Sequence, residues 1–149
     1  MPELIARASS YQPLIGNKIW MGSLGDVPAL VEKEHCDVII DLRAEIIPTG
    51  KEHPEHYLHF PLIDGEETQE GVINETVETI AALTEHGRRV AFHCASGKSR
   101  SGCIAIGLLI RLGQASTVEK AEQLLLAIRP ETVIHPKLKT ALQHLYRQA

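Results

Sequence analysis

The sequence predicts a single α/β domain, residues 1–149, with a central, mostly parallel sheet flanked by helices. Three observations carry that expectation. A chain of 149 residues that is 44% hydrophobic and 23% charged has the size and composition of one globular core. Compact, β-branched apolar runs at 38–42 and 90–92 read as buried strands. Stripes of helical period fill the intervals and crowd the C-terminal third, the alternation expected of parallel strands joined by helices.

Taken in order, residues 1–17 start irregularly and carry no clear element. Residues 18–21 read as a short strand closed by Gly22, and Asp26 stands where it can cap a short helix reaching Glu34. The run 38–42 is the next strand, followed by a Pro- and Gly-bearing loop at 46–54. Residues 57–60 alternate polar-tipped and apolar side chains up to Pro61, a further strand, and the acidic stretch 64–71 reads as an exposed loop. Ile73, Val77, Ile80 and Ala81 recur at helical spacing, with Gly87 where a C-cap glycine belongs. Residues 90–92 suit a central strand, and 104–112 are apolar on nearly all sides, a buried helix stopped by Gly113. Ser116 and Glu119 have capping-box spacing ahead of a helix striped by Val118, Ala121, Leu125 and Ile128 and ended by Pro130. Pro136 suits the first turn of a last helix, with Leu138, Leu142 and Leu145 facing inward.

Lys and Arg total 15 against 19 Asp and Glu, a net charge of −4, so the chain has no overall pull toward nucleic acid or anionic membrane. The longest apolar stretch, 103–110, is too short to span a bilayer, and the N-terminal residues lack a signal-peptide core. Cys36, Cys94 and Cys103 are odd in number and form no C-x-x-C pair, which argues against a disulfide framework or a zinc site. A soluble, cytoplasmic monomer with reduced thiols is the expectation.

One segment stands apart. Between a buried strand and a buried helix run His93, Cys94, Ala95, Ser96, Gly97, Lys98, Ser99, Arg100, Ser101 and Gly102. Such a turn gathers successive backbone N–H groups and a helix N-terminus around one point, a cradle for an anion. Gly97 permits backbone geometry that a Cβ obstructs. Arg100, six positions after Cys94, can close the loop and grip two oxygens of a phosphate with its guanidinium fork. Helix N-termini and neighbouring cations favour the thiolate form of a cysteine. A thiolate on the floor of a phosphate cradle is a nucleophile aimed at phosphorus. The cysteine-to-arginine spacing alone is a weak signal, because a structural cysteine with a surface arginine nearby produces it too. His before the cysteine, Gly at the third place and Ser after the arginine together make coincidence rare.

His93-Cys94-x5-Arg100-Ser101 resembles the signature of the cysteine-dependent protein tyrosine phosphatase superfamily. The Ser99-Arg100-Ser101 stretch and the short chain look most like its dual-specificity branch. Residues 19–23, residues 38–42, Phe60-Pro61 with Asp64, and Ile128-Arg129-Pro130 follow in the order that family shows, so the likeness covers about residues 18–146. It implies a protein tyrosine phosphatase-like fold and two-step hydrolysis of a phosphorylated protein or another phosphomonoester, with neither metal nor cofactor. It further implies Cys94 as nucleophile, with Arg100 and the loop residues Ala95, Ser96, Gly97, Lys98 and Ser99 holding the substrate's oxygens. Asp64, thirty positions before Cys94 on a loop just after a strand, falls where the family's general acid falls. A solvated turn aspartate before Gly65 is the plainer account of it, and Glu66 and Glu67 are the fallback acids. Ser101 resembles the hydroxyl that hydrogen-bonds the thiolate and helps it leave, although a helix N-cap looks the same in sequence. His93 is expected to support the loop by hydrogen bonding.

Substrate choice is less legible. Lys98 sits in a Gly-Lys-x-Arg pattern that also occurs in superfamily members acting on phosphoinositides or inositol polyphosphates. One screened cation adds only modest attraction, however, and the acidic stretch 64–70 opposes a highly anionic substrate. The chain is short for the deepened pocket of tyrosine-specific domains. A shallow site for phosphotyrosine, open to phosphoserine and phosphothreonine, is the expectation, with an inositide phosphatase as the alternative. A pseudophosphatase that only binds phospho-ligands fits less well, because Cys94, Arg100 and Asp64 are all present. Arsenate reductases place such a loop near the N-terminus, and rhodanese-type enzymes use a shorter one. His53, His56 and His59 form a ladder, but Pro54 breaks any helix that would align them and no fourth ligand is evident, so they read as rim histidines. Arg43 stands either at the C-terminal edge of the sheet near the phosphate or in an ion pair within the loop. Cys36 and Cys103 suit the core, each a candidate disulfide partner for an oxidised Cys94.

Overall fold

The structure, a computed structural model, describes residues 11–46 and 56–147. Among them five strands form one sheet: β1 (Gln12–Ile15), β2 (Ile19–Ser23), β3 (Val38–Arg43), β4 (Tyr57–Leu62) and β5 (Val90–Cys94). Their spatial order is β1-β2-β5-β3-β4. All neighbours run parallel except β1, which pairs antiparallel with β2. A single 3-10 turn (Leu24–Asp26) leads into α1 (Val27–Glu32), followed by α2 (Glu70–Glu85), α3 (Arg100–Arg111), α4 (Val118–Ile128) and α5 (Pro136–Leu145). The sheet is therefore mixed but mostly parallel, as the sequence predicts. No helix among the described residues is long and apolar enough to cross a membrane.

β5 is central, and all five of its residues are buried. Alternation along a strand sends its side chains to opposite faces. Val90, Phe92 and Cys94 enter the larger core with Ile73, Val77, Ile104, Leu108, Leu125 and Leu138 from α2 to α5. Ala91 joins Trp20, Leu30, Cys36 and Ile39 in the smaller core beneath α1. α3, buried along most of its length, lies against β5 and carries the chain away from the strand's C-terminal end, where the cradle residues lie.

Several boundaries differ from the sequence reading, each for a local reason. The irregular start contains β1, whose side-by-side pairing with β2 leaves too short a pattern to recognise. Gly22 lies inside β2 rather than ending it, because a Cβ there would meet Asp26 Oδ2 at 2.8 Å and Tyr11 Cβ at 2.9 Å. Asp26 occupies the N-cap position of α1, but its carboxylate turns back to accept from Ser23 N at 2.9 Å and Ser23 Oγ at 3.1 Å. That helix stops at Glu32, short of Glu34. β4 runs through Pro61 to Leu62, which an edge strand tolerates because one side of its backbone has no ladder partner. α3 begins at Arg100, four residues before the apolar run that predicts it. The cap of α4 is Thr117 rather than Ser116, its hydroxyl accepting from Lys120 N at 3.1 Å. Pro136 does open α5, and Gly87 and Gly113 follow their helices with φ of +77° and +80°.

Candidate active site

The cradle begins where β5 ends. Cys94 is its last residue, 2% exposed, and the chain then loops through residues 95–99 into the first turn of α3. Gly97 adopts φ +73°, and a Cβ there would lie 2.5 Å from Arg129 Nη2 and 2.7 Å from Gly22 O. No other residue fits that space. The loop is braced from outside as well: Leu24 N donates to Ala95 O at 3.3 Å, and Arg129 Nε donates to Gly97 O at 2.8 Å. Ser101, fully buried in the first turn of α3, donates from Oγ to Cys94 Sγ at 3.2 Å. A hydroxyl aimed at sulfur stabilises negative charge on it. Ser99 is the N-cap residue of α3 yet makes no capping bond with its side chain. The amides of the first turn thus stay available to an incoming anion.

Arg100 opens α3, and its guanidinium has a definite orientation. Nη1 and Nη2 donate to the two carboxylate oxygens of Glu45, at 2.6 and 3.0 Å, and Nη1 also donates to Leu62 O at 3.2 Å. Guanidinium carries five N–H bonds. Three are taken, and the Nε–H with the second Nη2–H remain as a side-on fork for two phosphate oxygens. Glu45 therefore aims Arg100. The Arg100 hydrogen bonds in turn hold the Glu45 carboxyl down at about 2, and the carboxylate pushes the guanidinium's own value up.

Asp64 comes from the loop after β4, exposed, and reaches the cradle: Ser99 Oγ donates to its Oδ1 at 2.6 Å. A cleft of about 400 Å³ opens beside Asp64, lined by Ala44, Glu45, Ile63, Asp64 and Arg100. Arg100 and Asp64 thus face one opening, while Cys94 and Ser101 lie bonded to each other, buried at the two ends of the same loop. The loop that carries Asp64 is held by Gln69, which is buried although the sequence reads its surroundings as exposed. Its side-chain amide donates to Ile63 O and Glu66 O, at 2.7 and 3.0 Å, and its Oε1 accepts from Ile63 N at 2.8 Å.

The comparison with known families decides what this arrangement is. The dual specificity phosphatase catalytic domain matches residues 19–148. The chain belongs to the dual specificity phosphatase family. Solved structures share its fold at low identity. DUSP15 superposes with a TM-score of 0.80 at 18% identity, over 92% of this chain and 87% of its own. Human DUSP28 gives 0.78 at 18%, over 92% and 93%. PTPMT1, crystallised in complex with PI(5)P, gives 0.77 at 19%, over 93% and 96%. No curated protein matches the sequence.

The remaining predicted residues fall into place around this phosphatase's site. Glu66 and Glu67 are exposed on the acid loop and do not line the cleft. Lys98 is likewise exposed and off the cleft. Arg43 resolves to the ion pair: its Nη2 donates to Asp41 Oδ2 at 2.7 Å, and Nε to Oδ1 at 3.0 Å. Tyr57 OH donates to the same carboxylate at 2.9 Å. Burial pushes Asp41 up, but the side-chain and backbone hydrogen bonds from Arg43 and the Tyr57 hydroxyl outweigh it and hold the carboxyl below its usual value. His93, fully buried beside Asp41, donates from Nδ1 to Cys94 O at 3.2 Å and so stiffens the turn out of β5. Desolvation pulls its pKa down against the opposing field of Asp41, which keeps the ring neutral.

Cys36 and Cys103 are buried free thiols, as the sequence predicts. Burial pushes Cys36 up to about 12 and drives Cys103 upward too. Cys36 lies in the smaller core and Cys94 in the larger, on opposite faces of the sheet, so these two are not a disulfide pair in this fold. Of the histidine ladder, His53 lies outside the described residues. His56 bonds Asp37 O, and His59, rather than being solvated, bonds Arg43 O. Two residues that matter to the site received no role in the sequence reading. Glu45 gave no local signal, being one carboxylate before a loop. Arg129 was visible only as part of a family string, and it proves to be 1% exposed, holding Gly97 O and bonding Gln12 Oε1 at 2.5 Å.

Proposed function

We propose that this phosphatase cleaves phosphomonoesters through a cysteinyl-phosphate intermediate, with Cys94 as nucleophile and Asp64 as general acid. The observation that carries the proposal is that Arg100 and Asp64 line one cleft at the end of the loop that starts at Cys94, with Ser99 of that loop bonded to Asp64 and Ser101 bonded to the Cys94 sulfur. In the first step the Cys94 thiolate forms a bond to phosphorus while the bond to the ester oxygen breaks. The leaving oxygen keeps that electron pair and takes a proton from Asp64. Arg100 and the amides of residues 95–99 hold the three equatorial oxygens, where charge spreads in the transition state. In the second step a water gives its proton to the Asp64 carboxylate as its oxygen bonds phosphorus. The sulfur–phosphorus bond breaks, and the Ser101 hydroxyl stabilises the departing thiolate.

Protein phosphotyrosine, with phosphothreonine and phosphoserine accepted, is the substrate class we favour. The cleft lining carries one cation, Arg100, against two carboxylates, Glu45 and Asp64, an unfavourable surface for a second or third phosphate. The PI(5)P bound to PTPMT1 supports the inositide alternative, whereas Lys98 lies off the cleft. Three free thiols suit a reducing compartment, and the cytoplasm is the location we assign. The test is phosphate release from a phosphotyrosine peptide, a phosphothreonine peptide and a soluble phosphoinositide, with Cys94→Ser as blank. Turnover led by the peptides and lost in Cys94→Ser supports the reading. Turnover led by the inositide transfers it to the alternative, and activity retained in Cys94→Ser overturns the mechanism.

A further inference from the structure

Ser99 is an N-cap serine that does not cap. Serine at that position ordinarily turns its hydroxyl onto the amides of its own helix, worth about 1 kcal/mol. Here the side chain makes no such bond. Its Oγ instead joins two distant segments, donating to Asp64 Oδ1 at 2.6 Å and accepting from His135 N at 3.0 Å. A residue that forgoes a local preference for a long-range contact is a place to look for function.

The direction of the bond from His135 is fixed, and that of the bond to Asp64 follows whenever the carboxyl is ionised. A serine hydroxyl has one hydrogen and two lone pairs. His135 N, a backbone amide, can only donate, so it occupies one lone pair and leaves the Ser99 hydrogen to donate to Asp64 Oδ1. While that bond is held, the carboxyl proton is better placed on Oδ2, the oxygen that receives nothing from Ser99. The His135 end is itself anchored. His135 is the N-cap of α5, its Nδ1 accepts from Lys137 N at 3.2 Å, and its ring stands 3.5 Å from where a Gly65 Cβ would be. One hydroxyl therefore links the cradle, the acid loop and the start of α5.

We propose that Ser99 is a positioning residue that selects which oxygen of Asp64 holds the transferable proton and holds that carboxyl over the cradle. This rests on Asp64 being the general acid. Ser99 makes no bond to the reacting atoms with its side chain. Its effect passes through Asp64, so it falls on steps that need protonation of the leaving group and spares those that do not.

The experiment compares Ser99→Ala, Ser99→Thr and Asp64→Asn with the unmodified protein on phosphate esters of graded leaving-group basicity, from nitrophenyl to alkyl. Inhibition by vanadate is measured alongside as a probe of the cradle. Ser99→Ala should lower kcat for alkyl esters roughly tenfold further than it lowers kcat for nitrophenyl esters, and further than it weakens vanadate binding. Its leaving-group dependence should steepen in the same sense as that of Asp64→Asn. Ser99→Thr, which keeps the hydroxyl, should restore the alkyl-ester rate. A steep Asp64→Asn series with an unchanged Ser99→Ala series overturns the role of Ser99 alone. Equal loss on every ester, or parallel loss of vanadate affinity, also overturns it, because the cradle would then be what Ser99 supports. An Asp64→Asn series no steeper than the unmodified protein overturns the acid assignment and this inference together.

Discussion

The phosphate cradle and the acid loop face each other across one cleft, yet they are built in opposite ways. The cradle is buried beneath and braced on several sides: β5 and α3 bound it, Leu24 and Arg129 hold its carbonyls, and Ser101 holds its sulfur. The acid loop is exposed and depends on one side-chain amide, that of Gln69, plus the bond from Ser99. It also contains Thr68 at φ +61°, a β-branched residue in the left-handed region. The difference follows from what each must do. A cradle that stabilises a transition state gains from having no reorganisation left to perform. In the proposed mechanism Asp64 must meet leaving groups of different size and let product out, which a lightly tethered loop allows.

The contrast can be broken most severely at Gly97. Gly97→Ala puts a Cβ against Arg129 Nη2 and Gly22 O, at 2.5 and 2.7 Å, in a backbone conformation that alanine resists. Turnover of every ester should fall by roughly a thousandfold or more, on the scale of losing a transition-state donor. Thermal melting should show lowered stability as well, and a normal melt with normal turnover would mean that the cradle is less crowded than this geometry. Asp64→Asn tests the other side. It should cost roughly a hundredfold in kcat on alkyl esters, less on nitrophenyl esters, and almost nothing in stability, because the side chain is exposed.

Gln69→Ala sharpens the comparison, since it loosens the loop without touching the cradle. Three hydrogen bonds are lost, leaving Ile63 N–H and two carbonyls to water, for about 1–2 kcal/mol in chemical denaturation. Proteolysis between residues 63 and 69 should accelerate and kcat on alkyl esters should fall several-fold, with vanadate affinity unchanged. The smallest effect is expected from pH. His93 binds a proton less readily in the fold than its ordinary value of 6.5, because burial outweighs the field of Asp41. Below about pH 6.5 the unfolded chain takes up that proton and the folded one resists, so stability falls as pH falls, by at most about 1.4 kcal/mol per pH unit. His93→Asn should flatten the denaturation midpoint against pH between 6.5 and 5. An unchanged slope would trace the acid sensitivity to other groups.

The cradle was legible in the sequence because it is local. Ten consecutive residues between a strand and a helix carry the nucleophile, the arginine, the glycine and the hydroxyl, and short-range sterics force them around one point. Strands β3 and β5 were legible for the same reason, each a compact apolar run whose neighbours needed no knowledge of topology. β1 was not, because Gln12 and Pro13 show no alternation and the strand exists only through its partner. The same distinction separates the site residues. Asp64 entered through family resemblance, its chemistry being that of any loop aspartate.

By itself, then, the sequence determined a parallel-biased α/β sheet, a cysteine-and-arginine anion cradle and the family that uses it. Only the tertiary structure decided how that cradle is aimed and tethered. Glu45 meets Arg100 across 55 positions of sequence, Ser99 meets Asp64 across 35, and Arg129 meets Gly97 across 32. Periodicity records which face of an element is buried, so it carries the core. A hydrogen bond between two polar side chains from distant loops leaves no period, and it exists only once the sheet has brought those loops to the same end.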